Sequence, residues 1–127
     1  MLYRHALVGI IILCIAGCST ETLQPIHEYQ SLPIRTNASR NISTIESSIL
    51  SSGTRAGWVM ETRKPGHIVG KLNKDSQQAE VDIFFTEKTF SVLYRDSINL
   101  QKEERMVSSE YNRWTDQLVT VIKQGLQ

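Results

Sequence analysis

The rhythm of apolar and polar positions changes several times along the chain. An unbroken apolar run, Ala6 to Ala16, comes first, and a polar stretch carrying Pro25 and Pro33 follows it. Ile42, Ile45 and Ile49, with Leu50 next to the last, then recur at helical spacing, which predicts an amphipathic helix over residues 37–52 with Gly53 at its C-terminal cap. The other face of that helix is mostly serine, asparagine and threonine, indifferent helix formers, so packing has to stabilise it. From Trp58 onward the period shortens to two: Trp58, Met60 and Thr62 alternate with Val59, Glu61 and Arg63 as far as Lys64-Pro65-Gly66. Beyond it Ile68 and Leu72 flank Gly70. Proline cannot donate to a ladder, so this stretch is either one bent strand or two.

The segment from Ala79 to Tyr94 can be folded on itself about Glu87-Lys88. Phe85 then faces Phe90, Ile83 faces Val92 and Val81 faces Tyr94 on one side; Glu80 meets Arg95 and Phe84 meets Ser91 on the other. A slip of one residue would mix the two sides, so the register is specified. Glu-Lys is not a favoured pair for a two-residue turn, which allows a longer loop. After Asp96-Ser97-Ile98-Asn99 the residues Gln101 to Arg105 read as a charged connection. A last helix begins at Ser108 or Ser109, with Glu110 placed for the dipole and Tyr111, Trp114, Leu118, Val121, Ile122 and Gly125 on one face. The elements predict one α+β domain over residues 37–127, a three- to four-stranded antiparallel sheet with an N-terminal and a C-terminal helix packed on one face. About ninety residues of this composition can build one core without a metal or a disulfide.

The start of the chain reads differently. Arg4 and His5 precede the apolar run, and Ile15-Ala16-Gly17-Cys18 closes it, which is the layout of a secretory signal. As a helix the run would rise about 16 Å, short of the ~30 Å of a bilayer core. Ile15-Ala16-Gly17-Cys18 resembles the lipobox of bacterial lipoproteins. That resemblance implies removal of residues 1–17, a diacylglyceryl group on the Cys18 thiol and a third acyl chain, of the palmitate class, on the new amino terminus. It also implies anchoring by lipid alone, since two or more chains hold a protein stably at ~0.8 kcal/mol per buried CH₂. In the Gram-negative members of that family an aspartate after the cysteine marks inner-membrane retention. Ser19 and Thr20 stand there instead, so the expected location is the outer membrane, with the domain facing the periplasm. Residues 18–36 read as a tether, about 25 Å long as a coil; Ile26, Tyr29 and Leu32 allow its far end to pack on the domain instead.

Loss of Arg4 with the leader lowers the cations from fourteen to thirteen, equal to the thirteen acids, so the mature domain is formally neutral. This argues against a nucleic-acid partner, which would require a basic patch. Both cysteines are accounted for, Cys14 lost with the leader and Cys18 acylated, which leaves no thiol for catalysis, zinc or a disulfide. His27 and His67 stand in no metal-ligand or nucleophile pattern, and no cofactor motif is present. Glu80 and Asp82 share one strand face, most simply a solvated face on which Glu80 pairs with Arg95. Trp58, Tyr94, Tyr111 and Trp114 fit a core, with Trp58 the one expected to be partly exposed.

Arg55-Ala56-Gly57-Trp58, Pro65-Gly66, the hairpin with its Asp96 to Leu100 exit and Tyr111-Asn112-Arg113-Trp114 together resemble small proteobacterial envelope lipoproteins, a likeness that implies no activity. The helix, strands, helix order is also similar to double-stranded RNA-binding domains, but Ser109-Glu110 stands where those carry lysines. The expectation is a non-enzymatic binding or scaffolding module for another envelope component. The competing expectation is a small-ligand or glycan binder using the outer sheet face. Trp58, Arg63, Asp82, Phe84, Asn112 and Arg113 are the candidate interaction residues.

Overall fold

The computed structural model describes residues 22–35 and 40–127. The expected leader and the lipid-bearing Cys18 lie outside the described residues. The chain runs β1 (Leu23–Pro25), β2 (Tyr29–Pro33), α1 (Ile42–Arg55), β3 (Val59–Lys64), β4 (His67–Lys74), β5 (Gln77–Phe85), β6 (Thr89–Ile98), β7 (Lys102–Glu103), β8 (Met106–Ser108) and α2 (Ser109–Gly125). Five strands pair antiparallel in the order β2-β6-β5-β4-β3, and three form a second antiparallel sheet, β1-β8-β7.

The α+β class stands, but a single sheet of three or four strands in a helix, strands, helix order does not. The extra strands come from two places. Residues 23–33, within the expected tether, supply β1 and β2, and the expected charged connection folds into the β7–β8 hairpin. Neither shows a period. Pro25 and Pro33 close β1 and β2, where a missing donor is tolerated, and β2 breaks step between Tyr29 and Leu32, with Ser31 at φ 51°. Two exposed residues of β7 are too few to alternate.

The central hairpin has the expected register from its tip as far as Val81, with Phe85 opposite Phe90, Ile83 opposite Val92 and Val81 opposite Tyr94; beyond it a bulge shifts the pairing, so that Glu80 stands opposite Asp96 and not opposite Arg95 as expected. Its tip is tied by Thr86, whose hydroxyl accepts from the backbone N–H groups of Lys88 and Thr89 at 3.1 Å each. β3 and β4 are two paired strands joined at Pro65-Gly66. Ala79, Val81, Ile83 and Phe85 of β5 face the helices and are buried, and they meet Ile45 and Ile49 of α1 and Tyr111, Leu118 and Ile122 of α2 in one core.

Helix α1 starts one residue after Asn41, whose side chain accepts from the Thr44 N–H at 2.9 Å, and it runs past the expected cap. Gly53 lies inside the helix because β3 crosses there: a Cβ on it would stand 2.5 Å from the Met60 side chain. Gly57, at φ 92°, takes the left-handed conformation that follows the helix end. α2 is capped by Ser108 and buries Asn112, Thr115 and Val119 beside the expected stripe. The stripe is wider than predicted because a second layer, the arm carrying β1, covers its flank.

The helices cross where Ser52 meets Gly125. A Cβ on Gly125 would overlap the Ser52 Oγ, yet would stand 3.5 Å from the Ser52 Cβ, an ordinary contact. The Ser52 hydroxyl is buried and has no hydrogen-bond partner among the described residues. Gly125→Ala is therefore expected to destabilise the domain by about 1–3 kcal/mol through overpacking. Adding Ser52→Ala should recover most of that loss. Urea unfolding of the two single variants and the double variant checks this; a loss that survives in the double variant would show that the hydroxyl is not the obstacle.

Candidate functional site

Two surfaces bring chemistry-bearing side chains together. The first is the outer face of the five-stranded sheet. There His67, on β4, places its Nε2 2.7 Å from Asp82 Oδ1 on β5, and Arg95 Nη1 of β6 donates to the same oxygen at 3.0 Å. Glu80 lies 3.6 Å from Lys71 Nζ and 3.5 Å from Arg95 Nε. The His67 ring stacks on Phe84 with centroids 4.4 Å apart and planes 16° apart. These contacts follow from the pleat, since His67 is opposite Phe84 and Lys71 opposite Glu80. The result is a lattice in which each charge is engaged by a neighbour on the next strand. Such pairs hold side chains in place more than they attract a ligand.

The second surface lies along α2. The segment between β1 and β2 is clasped to that helix by two side chains one turn apart. Asn112 accepts from the His27 backbone N–H at 2.9 Å and donates to the Pro25 carbonyl at 2.9 Å. Asp116 accepts the Tyr29 hydroxyl at 2.6 Å and lies 2.9 Å from His27 Nδ1. Beside this clasp runs an open groove of about 730 Å³, bounded by Gln24 and His27 on one side and by Glu110, Arg113, Gln117 and Thr120 of α2. Among the described residues no hydroxyl is hydrogen-bonded to the His27 ring, and no three His, Cys, Asp or Glu side chains are grouped as a metal site requires.

The candidate residues thus divide. Trp58, expected to be partly exposed, is only 3% exposed and belongs to the core. Asn112 is 1% exposed and fastens the arm. Arg113 projects into solvent at the groove and pairs with Glu110 one turn back. Arg63 sits where β3 shifts register and is 3.6 Å from Glu61. Phe84 and Asp82 do meet on the outer face, through His67. In the sequence His27 stands in no functional pattern and Tyr29 is able only to pack on the domain, while Asp116 is not among the candidates. The spacing of Asn112 and Asp116, four residues apart just off the apolar stripe of α2, is the signal in the sequence that could have found Asp116.

Burial holds the tyrosine protons. The Tyr29 phenol is pushed up to about 12, by desolvation first and then by the hydrogen bond and charge of Asp116. Tyr94 and Tyr111 are also raised, in both cases chiefly by burial. The folded chain therefore keeps these protons at a pH where the unfolded chain, ionising near ~10, has lost them. Their stabilising contribution is complete below pH ~10 and falls away as pH rises towards the folded-state values. Ultraviolet titration of the domain should show little phenolate at pH ~10 while it remains folded, and Tyr29→Phe should remove a folded-state step near pH 12. An ordinary midpoint in a still-folded domain contradicts this.

Compared with protein-family profiles, curated proteins and solved structures, the chain has no significant match. Among the described residues no helix is long and apolar enough to cross a membrane.

Proposed function

We propose that this protein is a lipoprotein anchored by acyl chains on Cys18 in the outer membrane, and that its periplasmic domain is a non-enzymatic module that binds or scaffolds another envelope protein. The lipobox-like Ile15-Ala16-Gly17-Cys18 supports the anchor. The binding part rests on one observation. The polar residues that resemble catalytic groups, His27 with Asp116 and His67 with Asp82, are tied into the architecture, while the groove beside the clasp is left open and rimmed by Arg113, Glu110 and Gln117. A tethered domain meets a co-localised partner at high effective concentration, so a modest surface suffices.

A photo-crosslinking side chain at the exposed position Gln117 tests this in intact cells. The expected result is one discrete adduct that disappears when Cys18→Ala abolishes anchoring. Adducts that are absent, or equally strong without the anchor, count against it. A second reading, binding of a small ligand or a glycan strand, is favoured by the size of the groove, which falls in the range of ligand sites. It moves the expected ligand surface from the outer sheet face to α2. Glycan fragments would then shift the amide resonances of Gln117 and Thr120 and leave that of Phe84 unchanged.

A further inference from the structure

Resting on the lipid anchor proposed above, we infer that the domain stands end-on against the bilayer, with the end that carries Ile98, Lys74, Lys102 and the start of α2 seated on the lipid headgroups. The argument begins with chain length. The fold holds the backbone from Thr22 onward: the Thr22 carbonyl accepts from the Ser109 N–H at 3.1 Å, and Leu23 pairs with Ser108. Only residues 19–21 separate Thr22 from Cys18. Even fully extended at ~3.3–3.6 Å per residue, the step from Cys18 to Thr22 covers about 14 Å. That is little more than the headgroup layer itself, roughly 5–8 Å on each side of the hydrocarbon. A free coil of the whole 18–36 segment would have allowed the domain to tumble well clear of the surface; a chain fastened at Thr22 does not.

Hydrogen bonds then identify which end is held down. From Thr22 they lead to Ser109, from neighbouring Ser108 to the Gln101 carbonyl at 2.8 Å, and from Asn99 to the Ser76 carbonyl at 2.7 Å. The exit of β6 and the β4–β5 turn therefore share one end of the fold with the N-terminus of α2. That end offers chemistry suited to a lipid surface. Ile98 is an exposed branched apolar side chain, and the same end carries two lysines over aromatic rings, Lys74 above Trp114 at 5.5 Å and Lys102 above Tyr94 at 5.2 Å, together with the acids Asp75, Asp96, Glu103 and Glu110. The apolar side chain can enter the interface while the ammonium groups meet phosphates, but the acids outnumber the lysines, so the short span from Cys18 to Thr22, not charge, is what seats this end on the headgroups. The opposite end is far away. From Ile98, opposite Gln78, to Phe90, opposite Phe85, β5 climbs seven residues, about 23 Å at ~3.3 Å each, so Glu87 projects away from the lipid.

The test uses the mature lipidated protein in vesicles of phosphatidylethanolamine and phosphatidylglycerol containing headgroup spin-labelled lipid. With Cys14 removed and Cys18 acylated, a thiol introduced by Ile98→Cys or by Glu87→Cys is the only one available to a fluorophore. Both positions lie on the surface, so neither change disturbs the core. Quenching several-fold stronger at position 98 than at position 87 is the expected result. Equal quenching, or stronger quenching at 87, in protein that floats with the vesicles overturns the orientation and leaves the anchor intact. Protein that does not float with the vesicles overturns both.

Discussion

Trp58→Ala is expected to lower folding stability by about 3–5 kcal/mol, the range for deleting a buried aromatic side chain. The indole lies where α1 gives way to β3, with its backbone N–H bonded to the Gly53 carbonyl at 3.0 Å and its ring close enough to Gly70 that an added Cβ there would stand 3.4 Å from it. Glycine at 70 and tryptophan at 58 are thus complementary, and truncation leaves a void that the surrounding strands cannot close. Against a typical total of ~5–15 kcal/mol this leaves a marginal fold. Urea midpoints measure it, and a loss below about 1 kcal/mol would mean the ring contributes little to the core. Any loss of partner binding in this variant is then a consequence of unfolding and says nothing about an interface.

The second large effect is expected at Asn112. Asn112→Ala removes the acceptor for the His27 N–H and the donor for the Pro25 carbonyl, both partly buried, at about 1–3 kcal/mol for each group left unpaired. A loss of about 3 kcal/mol is the central expectation. Hydrogen exchange gives a more specific readout: the amides of Ile26 and His27, protected by bonds to Arg105 and Asn112, should exchange far faster than in the parent chain, while those of β5 quicken only by the factor that the loss of global stability sets. The neighbouring Arg113→Ala, an exposed helix pair with Glu110, should change stability by under ~0.5 kcal/mol. Protection at Ile26 that survives Asn112→Ala would show that the small sheet, not the clasp, fixes the arm.

What the sequence made legible follows from where the information is local. The β5–β6 hairpin could be aligned against itself because both strands, their turn and their inward face lie within one short segment. α2 carries its own cap and its own stripe. β1 and β2 carry neither. Leu23 finds its partner at Ser108 and Tyr29 finds its partner at Val92, so those strands exist only once the rest has folded, and prolines and a bulge hide what period they have. The clasp was hidden for the same reason. Asn112 looks like a polar residue beside an apolar stripe until the arm is laid over it, and His27 looks like a loop histidine until Asp116 is found beside it. Trp58 was misjudged because exposure in an alternating strand depends on what covers each face, and here α1 turns back over that position.

The account depends on the chemistry at Cys18, and the mass of the intact protein purified from membranes tests it most directly. The predicted species begins at position 18 and is heavier than its polypeptide by a thioether-linked diacylglyceryl group and an amide-linked acyl chain. A free thiol at that position, or a chain that keeps residues 1–17, would contradict it.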